Sequence, residues 1–210
     1  MSGVVLNPVA ANLADGVQQA SNVFGRQGEQ LKGDLHGKWF VANARKSVFV
    51  FTKSGFTQVA TGSGPVSLFT LYNPPSSGVM AEIISTEVNA VSATTVVNVL
   101  GWYFSTAALT ALGTFTTPAV AGTNYFSGRA GDTPNGGVVP YISFTHSGTP
   151  VRLDVVASFA AITNTSIQSA VKWHEGTLLL PPGIAMSLLA STASFTNADL
   201  AVKWAEYPFA

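Results

Sequence analysis

The sequence predicts an all-β protein, and three observations support that fold class. Charged residues make up only 10% of the 210-residue chain, against about 25% in a typical soluble domain. Runs of aromatic and β-branched residues, which suit a pleated surface, recur from Lys38 onwards. Turn-forming Gly, Pro, Ser and Thr separate these runs without an intervening helical pattern. Short strands spaced in this way predict a jelly-roll-like β-sandwich.

Residues 1–37 differ from the rest of the chain and predict an extended N-terminal arm. Apolar residues between Val9 and Phe24 fall at helical spacing, but five glycines between Gly16 and Gly37 interrupt the pattern. Each glycine would weaken a helix by about 1 kcal/mol. The segment has too little apolar surface to fold alone, so we expect it to lie on a partner or under the main body. The predicted organisation is an arm at 1–37 and a β-sandwich body at 38–210.

About ten strands are predicted in the body. They fall at residues 39–41, 47–51, 66–72, 79–88, 94–104, 151–159, 167–173, 178–180, 184–189 and 200–204. A concentrated turn signal occupies residues 73–78, and residues 118–140 are the longest break, predicted to be a long connecting loop. The clearest alternation sets an apolar face against Arg152, Asp154 and Ser158; the apolar residues are Val151, Leu153, Val155, Ala157 and Phe159.

The distribution of charge bears on the partners of the chain. Its formal net charge is zero, so direct binding to nucleic acid or to an anionic membrane is not expected. Only Glu82 and Glu87 are charged between Ser54 and Ser127. We expect these central strands to be buried on both sides, by the core and by neighbouring subunits. Residues 96–113 approach the length of a membrane span, but polar residues and glycines interrupt them, which favours two buried strands around a turn.

The residues that could carry chemistry are few. The chain has no cysteine, which excludes a disulfide framework and thiolate chemistry. His36, His146 and His174 lack metal-ligand spacing and are interpreted as turn or strand-end side chains in solvent. A metal site on the symmetry axis of an oligomer stays open. The ten carboxylates form no recognisable pair, and no nucleophile elbow or phosphate-binding loop occurs. We therefore predict no enzyme, no catalytic residue, no cofactor and no metal.

Aromatic residues are the remaining candidates for an interaction surface. The four tryptophans lie in apolar runs, which favours the core or a subunit interface. Trp173 and Trp204 each close the sequence Ala-Val-Lys-Trp, predicted to be an edge-like strand with an exposed Lys and a packed Trp. Tyr125 and Phe126 fall within the predicted long loop, where they would be exposed. The candidate interaction surface is therefore Tyr125, Phe126, Trp173 and Trp204.

Two segments carry a family resemblance. The segment Ser67-Leu-Phe-Thr-Leu-Tyr-Asn-Pro-Pro-Ser-Ser-Gly78, with Ala81-Glu-Ile-Ile84 after it, resembles the LYNP-x-SG strand-turn-strand of minor virion proteins of tailed bacteriophages. The run Leu178-Leu-Leu-Pro-Pro-Gly-Ile-Ala185, with Lys203-Trp-Ala-Glu206 at the end, is similar to the closing hairpin of those proteins. The chain departs from the pattern at Pro75, where a small residue is more usual.

The resemblance implies a jelly-roll or related β-sandwich that decorates the phage head, vertex or tail. Such proteins are usually trimers whose N-terminal arm docks on the particle. We therefore expect a structural virion protein that forms a homo-oligomer, with a trimer favoured, and that contacts other virion proteins through residues 1–37. The resemblance transfers no catalytic residue.

Two alternatives remain open at the level of sequence. One is a major jelly-roll coat protein of an icosahedral virus, although the basic residues between Arg26 and Lys53 are too dilute for packaging RNA. The other is a carbohydrate-binding or receptor-binding module. It would require exposed Trp or Tyr side chains with carboxylates or amides nearby, and residues 118–140 are the first place to look.

Overall fold

The chain divides into two compact units, Met1–Val41 and Ala42–Ala210. The computed structural model describes residues 23–24, 30–31, 39, 42–43, 45–56, 66–67, 69–90, 98–105, 113–146, 150–159, 168–190 and 198–209. In the first unit, β1 (Val23–Phe24) pairs antiparallel with β2 (Gln30–Leu31). The remainder of the arm predicted at 1–37 lies outside the described residues.

Thirteen strands of the second unit fall within the described residues. In chain order they are β3 (Val48–Phe56), β4 (Val66–Ser67), β5 (Phe69–Asn73), β6 (Val79–Ala90), β7 (Asn98–Ser105), β8 (Gly113–Pro118), β9 (Tyr125–Ser127), β10 (Val139–His146), β11 (Pro150–Phe159), β12 (Gln168–Trp173), β13 (Leu179–Leu180), β14 (Ile184–Ala190) and β15 (Ala198–Pro208). They form two antiparallel sheets that pack as a sandwich.

The two sheets have different strand orders. The six-stranded sheet runs β12–β6–β15–β3–β9, with β13 also beside β6. The seven-stranded sheet runs β11–β7–β14–β5–β10–β4, with β8 also beside β10. The chain crosses repeatedly from one sheet to the other, as at β5 to β6 and β6 to β7. Such crossings are typical of jelly rolls. The predicted all-β, jelly-roll-like sandwich is therefore confirmed.

Aromatic side chains from both sheets fill the core. Phe51 of the six-stranded sheet stacks on Phe69 of the seven-stranded sheet with ring centroids 4.3 Å apart. Trp102 meets Phe69 edge-on at 6.2 Å. All three side chains are completely buried, and burying each contributes about 1.5–3 kcal/mol. Aromatic residues of the predicted strands therefore form these contacts between the two sheets.

The middle of the seven-stranded sheet is buried on both faces. Phe69 and Leu71 of β5 face the core, and Thr70 between them is also completely buried. The Thr70 hydroxyl lies 2.7 Å from the Ser187 hydroxyl of β14 and 2.5 Å from that of Ser67. This chain of hydroxyls satisfies polar groups that would otherwise be costly to bury. Two-sided burial of the central strands was predicted, and their burial by neighbouring subunits stays a prediction.

The turn predicted at residues 73–78 is confirmed. Ser77 donates its backbone N–H to the Pro74 carbonyl at 3.0 Å, closing the turn between β5 and β6. The buried Asn73 amide donates to the carbonyls of Val79 and Leu180 at 2.8 and 2.9 Å. Asn73 thus ties this turn to the β13–β14 region, which lies more than a hundred residues further along the chain.

The long loop predicted at residues 118–140 was wrong in part. This segment contains β9, and β10 begins at its end. β9 pairs with β3 through Phe49, Val50 and Phe51, so it extends the six-stranded sheet. A three-residue strand surrounded by glycines leaves too short an alternation to recognise from sequence.

The alternation predicted for β11 was also wrong in part. Two register shifts, between Arg152 and Asp154 and between Val155 and Ala157, interrupt its pairing with β7. A bulge adds a residue to one strand and turns the following side chains to the other face. Phe159 is buried as predicted, whereas Val151, Leu153 and Val155 are exposed. The prediction therefore assumed a regular alternation along the whole strand, because the sequence does not reveal the two register shifts.

Candidate functional site

The four aromatic residues predicted to form an interaction surface lie in different environments. Trp204 is completely buried and stacks on Tyr125, with centroids 5.7 Å apart and planes at 12°. Tyr125 is itself buried and belongs to β9 rather than to an exposed loop. Surface roles for Tyr125 and Trp204 were therefore wrong, because both rings belong to the core. Phe126 is half-buried, and Trp173 is 57% exposed.

Phe126 and Trp173 lie on the same outer face of the six-stranded sheet. Strand pairing places Trp173 opposite Ser85, Ser85 opposite Lys203, Lys203 opposite Val50 and Val50 opposite Phe126. Directly paired residues project from the same side of a sheet. The two aromatic residues thus end one row that crosses the sheet from β12 to β9.

A cleft opens beside Trp173, where the β11 and β12 edges of the two sheets meet. Its volume is about 480 Å³, within the range of about 300–1,000 Å³ of small-molecule sites. Exposed apolar and polar groups line it together; they include Leu153, Asp154, Lys172, Trp173, Glu175 and Thr177. We call this region the β11–β12 cleft.

A chain of hydrogen bonds runs from the core to this cleft. The Trp102 indole Nε1 donates to the Thr86 hydroxyl at 3.0 Å, and that hydroxyl lies 3.0 Å from Nε2 of His174. Nδ1 of His174 lies 3.1 Å from Oδ2 of Asp154. Lys172 Nζ donates to Oδ1 of Asp154 at 2.6 Å. The chain joins β6 and β7 to β11 and β12, so it fastens the two sheets together at this edge.

The arrangement of hydroxyl, imidazole and carboxylate has the connectivity of a catalytic triad but not its accessibility. A nucleophile must reach a substrate carbonyl, and Thr86 is completely buried. Its oxygen already accepts the Trp102 indole N–H, which leaves the hydroxyl proton for Nε2 of His174. Nδ1 then carries the ring proton and donates it to Asp154. This network positions side chains and does not place a nucleophile in the cleft.

The interpretation of His174 as a solvent-exposed histidine was wrong. The residue is only 2% exposed. Burial lowers the pKa of the imidazole below its ordinary 6.5, and this effect outweighs the opposing influence of Asp154. Desolvation disfavours the charged ring, so His174 is neutral at pH 7. A neutral ring suits its position, because Nε2 accepts a proton from Thr86 while Nδ1 donates one.

A tight turn forms one rim of the cleft. The backbone N–H of Thr177 donates to the His174 carbonyl at 2.9 Å, and the two central residues have positive φ, 45° at Glu175 and 85° at Gly176. Such turns match the twist of paired strands but favour Asn, Asp or Gly. A glutamate in the left-handed region costs about 1–2 kcal/mol. The carboxylate of Glu175 is held beside the cleft at that cost.

A second polar cluster lies on the opposite side of the six-stranded sheet. The buried Glu206 carboxylate accepts N–H bonds from Gly137 at 2.6 Å, Val138 at 3.3 Å and the Trp204 indole at 3.0 Å. Burial raises the pKa of Glu206, although these bonds oppose the rise. A side chain on Gly136 would collide with the same carboxylate. Glu206 therefore holds the segment before β10 against the core.

Sequence reasoning missed the partners in both clusters. Asp154 and His174 are twenty residues apart, and Thr86 and His174 are eighty-eight apart, so no local spacing joins them. The one available signal was the position of His174 directly after an aromatic strand. Glu206 entered the sequence analysis only as the last residue of the segment Lys203-Trp-Ala-Glu206, without a predicted role.

Among the described residues, no group of three His, Cys, Asp or Glu side chains could hold a metal ion. The same part of the chain contains no helix long and apolar enough to cross a membrane. No protein-family model matches the chain, and neither a curated protein nor a solved structure matches it. The bacteriophage resemblance of the two sequence segments therefore stays a prediction.

Proposed function

We propose that the protein is a non-enzymatic structural subunit of a bacteriophage virion, which decorates or stabilises the capsid or tail as a homo-oligomer. The observation that carries this proposal is the apolar character of the outer face of the six-stranded sheet. We define the sheet face by Val50, Phe126, Val171, Leu179 and Tyr207.

The exposed members of the sheet face lie on three strands around β6. Val171 is 57% exposed and pairs with Glu87; Leu179 is 51% exposed and pairs with Glu82. Tyr207 is 37% exposed and pairs with Met80 on the other side of β6. The solvated face of an antiparallel sheet normally carries polar residues, whereas neighbouring exposed apolar side chains mark association surfaces.

The size and charge of the sheet face fit association with a protein surface. Five strands lie side by side in this sheet, because β12 and β13 share one edge of β6. At about 4.8 Å apart and about eight residues long, they present roughly 600 Å², the same order as the ~800 Å² that each partner contributes to a standard interface. The charges within it have both signs, Glu87 on β6 opposite Val171 and Lys203 on β15 opposite Val50. A surface of this kind suits contact with another copy of the chain or with a neighbouring virion protein better than contact with a polyanion.

The phage assignment itself rests on the two sequence segments that resemble minor virion proteins. With it come the proposals that the oligomer is a trimer and that residues 1–37 dock on the particle. The turn of the first segment is built around Asn73, whose amide joins two turns of the body. These hydrogen bonds explain the asparagine of the motif by its structural role, without a catalytic one.

Light scattering coupled to size-exclusion chromatography tests the proposal on the full chain. A discrete oligomer, expected to be a trimer, supports a decoration protein, and large shells would favour the coat-protein alternative. The double variant V171T/L179T should shift the mass towards the monomer. The matched control is V120T, because Val120 is 56% exposed but lies in the loop before β9. A parent protein that stays monomeric at tens of micromolar would contradict the proposal.

A further inference from the structure

We infer that the β11–β12 cleft binds a neutral hexose ring of a glycan, with the indole of Trp173 as its platform. Trp173 projects from the same side of the six-stranded sheet as the sheet face, so the inference requires that the β11–β12 cleft stays accessible when copies of the protein associate. It rests on an exposed aromatic ring, on hydrogen-bonding groups around it, on the charge of the cleft and on its rigid construction.

The apolar part of the cleft suits the C–H face of a pyranose. Trp173 is 57% exposed and Leu153 is 50% exposed. A pyranose whose hydroxyls are mostly equatorial leaves one face of C–H bonds bare, and a flat indole offers a large apolar area with little loss of side-chain freedom. Packing of the two removes apolar surface of both from water.

The polar part of the cleft supplies acceptors for sugar hydroxyls. Asp154 keeps 22% of its side chain exposed while it accepts from Lys172 and His174. A carboxylate has about four lone-pair positions, so Asp154 has capacity for further O–H donors. Glu175 and Thr177 are exposed residues of the adjoining turn. The Thr177 hydroxyl donates to the His174 carbonyl at 2.6 Å and keeps its lone pairs as acceptors. Hydroxyl groups that leave water need such partners.

The charge of the cleft selects against acidic sugars. It contains two carboxylates, Asp154 and Glu175, and one ammonium, Lys172. The ammonium is already engaged by Asp154 and by the Val155 carbonyl at 2.7 Å, and His174 is neutral at pH 7. The cleft is therefore net negative and would repel the carboxylate of a uronic or sialic acid.

The walls of the cleft are fixed before a ligand arrives. Asp154 is oriented by Lys172 and by the buried His174, which is held in turn by Thr86. Glu175 is kept beside the cleft by a turn whose backbone is unfavourable for glutamate. Strained backbone that the surrounding structure maintains is concentrated at binding sites, and a fixed site loses less entropy when it binds.

A glycan array tests the inference with the full-length protein. The probes are cellobiose, lactose and longer neutral oligosaccharides, with sialylated and glucuronylated oligosaccharides alongside. Neutral glycans should be retained, and the dissociation constant of the best one, measured by calorimetry, should rise at least about tenfold in W173A. E175Q should also weaken binding, because a carboxylate accepts stronger hydrogen bonds than an amide. F209A is the matched control, since Phe209 is a 50% exposed aromatic residue away from the cleft.

Four results would overturn the inference. One is the absence of binding to every neutral glycan, and another is preferential capture of acidic glycans. The third is a W173A variant that binds like the parent while thermal unfolding shows it to be folded. The oligomeric mass of W173A should equal that of the parent; a changed mass would assign Trp173 to an interface instead. Failure of V171T/L179T to change the mass would count against the proposed assembly only.

Discussion

Trp173 and Trp204 end the same tetrapeptide, Ala-Val-Lys-Trp, yet they project from opposite faces of the same sheet. Strand pairing explains the difference, because Trp173 and Lys203 lie opposite the same residue of β6, Ser85. The two repeats are therefore one residue out of phase against their common neighbour. A shift of one residue exchanges the two faces of a strand, so one tryptophan enters the core and the other meets solvent.

Replacing the two tryptophans should affect stability very differently. W204A should lower the free energy of unfolding by about 3–5 kcal/mol, because it opens a cavity beside Phe49 and Tyr125. It also removes the indole donor of Glu206. W173A should cost no more than about 1 kcal/mol, as expected of a largely exposed position. Urea unfolding followed by circular dichroism measures both, and equal losses would contradict the opposite orientation of the two rings.

Glu206 should be more important for stability than its single charge suggests. E206Q keeps the size of the side chain but replaces one acceptor oxygen by an NH₂ group, which would face an N–H donor of Gly137, Val138 or Trp204. The loss should be about 1–3 kcal/mol, the cost of a buried group without its partner. E87Q, on an exposed position of β6, is the control and should change stability by less than about 0.5 kcal/mol. Chemical denaturation at pH 7 compares the two variants. Equal losses of stability would contradict the role of Glu206 in holding the segment before β10 against the core.

His174 should make the protein sensitive to mild acid. The pKa of the folded imidazole lies below its ordinary 6.5, so the unfolded chain takes up a proton first as the pH falls. The free energy of unfolding contributed by His174 is therefore present above pH 6.5 and declines as the pH falls towards the folded pKa. Comparison with H174Q between pH 7.5 and 5 isolates this effect, because the other groups titrate in both proteins.

The stability advantage of the parent over H174Q should shrink as the pH falls. A constant or widening difference would show that His174 is not held neutral. Glu206 acts in the opposite direction, since its pKa is raised on folding. Its contribution favours the folded state increasingly as the pH falls from its folded pKa towards 4.5, and E206Q should remove that component.

The turn at Glu175 should be open to stabilisation. E175N places a residue that tolerates positive φ where glutamate now has φ of 45°, and it should raise the free energy of unfolding by up to about 1 kcal/mol. G176A provides the contrasting control, because alanine at φ of 85° should lower stability by about 1 kcal/mol. Thermal unfolding distinguishes them, and a destabilised E175N would show that the glutamate has contacts that offset its backbone strain.

The strands between clear turn signals could be predicted from the sequence. β5, β6, β12 and β14 lie close to their expected bounds because each is a short run rich in apolar residues that turn-forming residues delimit. β9 and the bulges of β11 could not, since a strand of three residues and an inserted residue depend on pairing with distant neighbours. The clusters of Asp154 and Glu206 depend on contacts distant in sequence, for which a single chain carries no local signal.

The candidate interaction residues show the same limit. Trp173 and Trp204 have identical preceding residues, so no local rule could assign one to the surface and the other to the core. What separates them is the register of their strands, because Trp173 lies opposite Ser85 of β6, whereas Lys203 and not Trp204 lies opposite that residue. Register is set by pairing with strands that are distant in the sequence.

Lys172 has a consequence for the way copies of the protein can meet. Its ammonium occupies the Val155 carbonyl, one of the backbone acceptors along the β11 edge that an incoming strand would need. Exposed edges with unpaired backbone groups invite strand-by-strand growth into fibrils, and an inward-reaching lysine is one of the ways in which proteins prevent it. The side chain therefore hinders addition of a strand at this edge, so the proposed association of copies would have to use side-chain contacts.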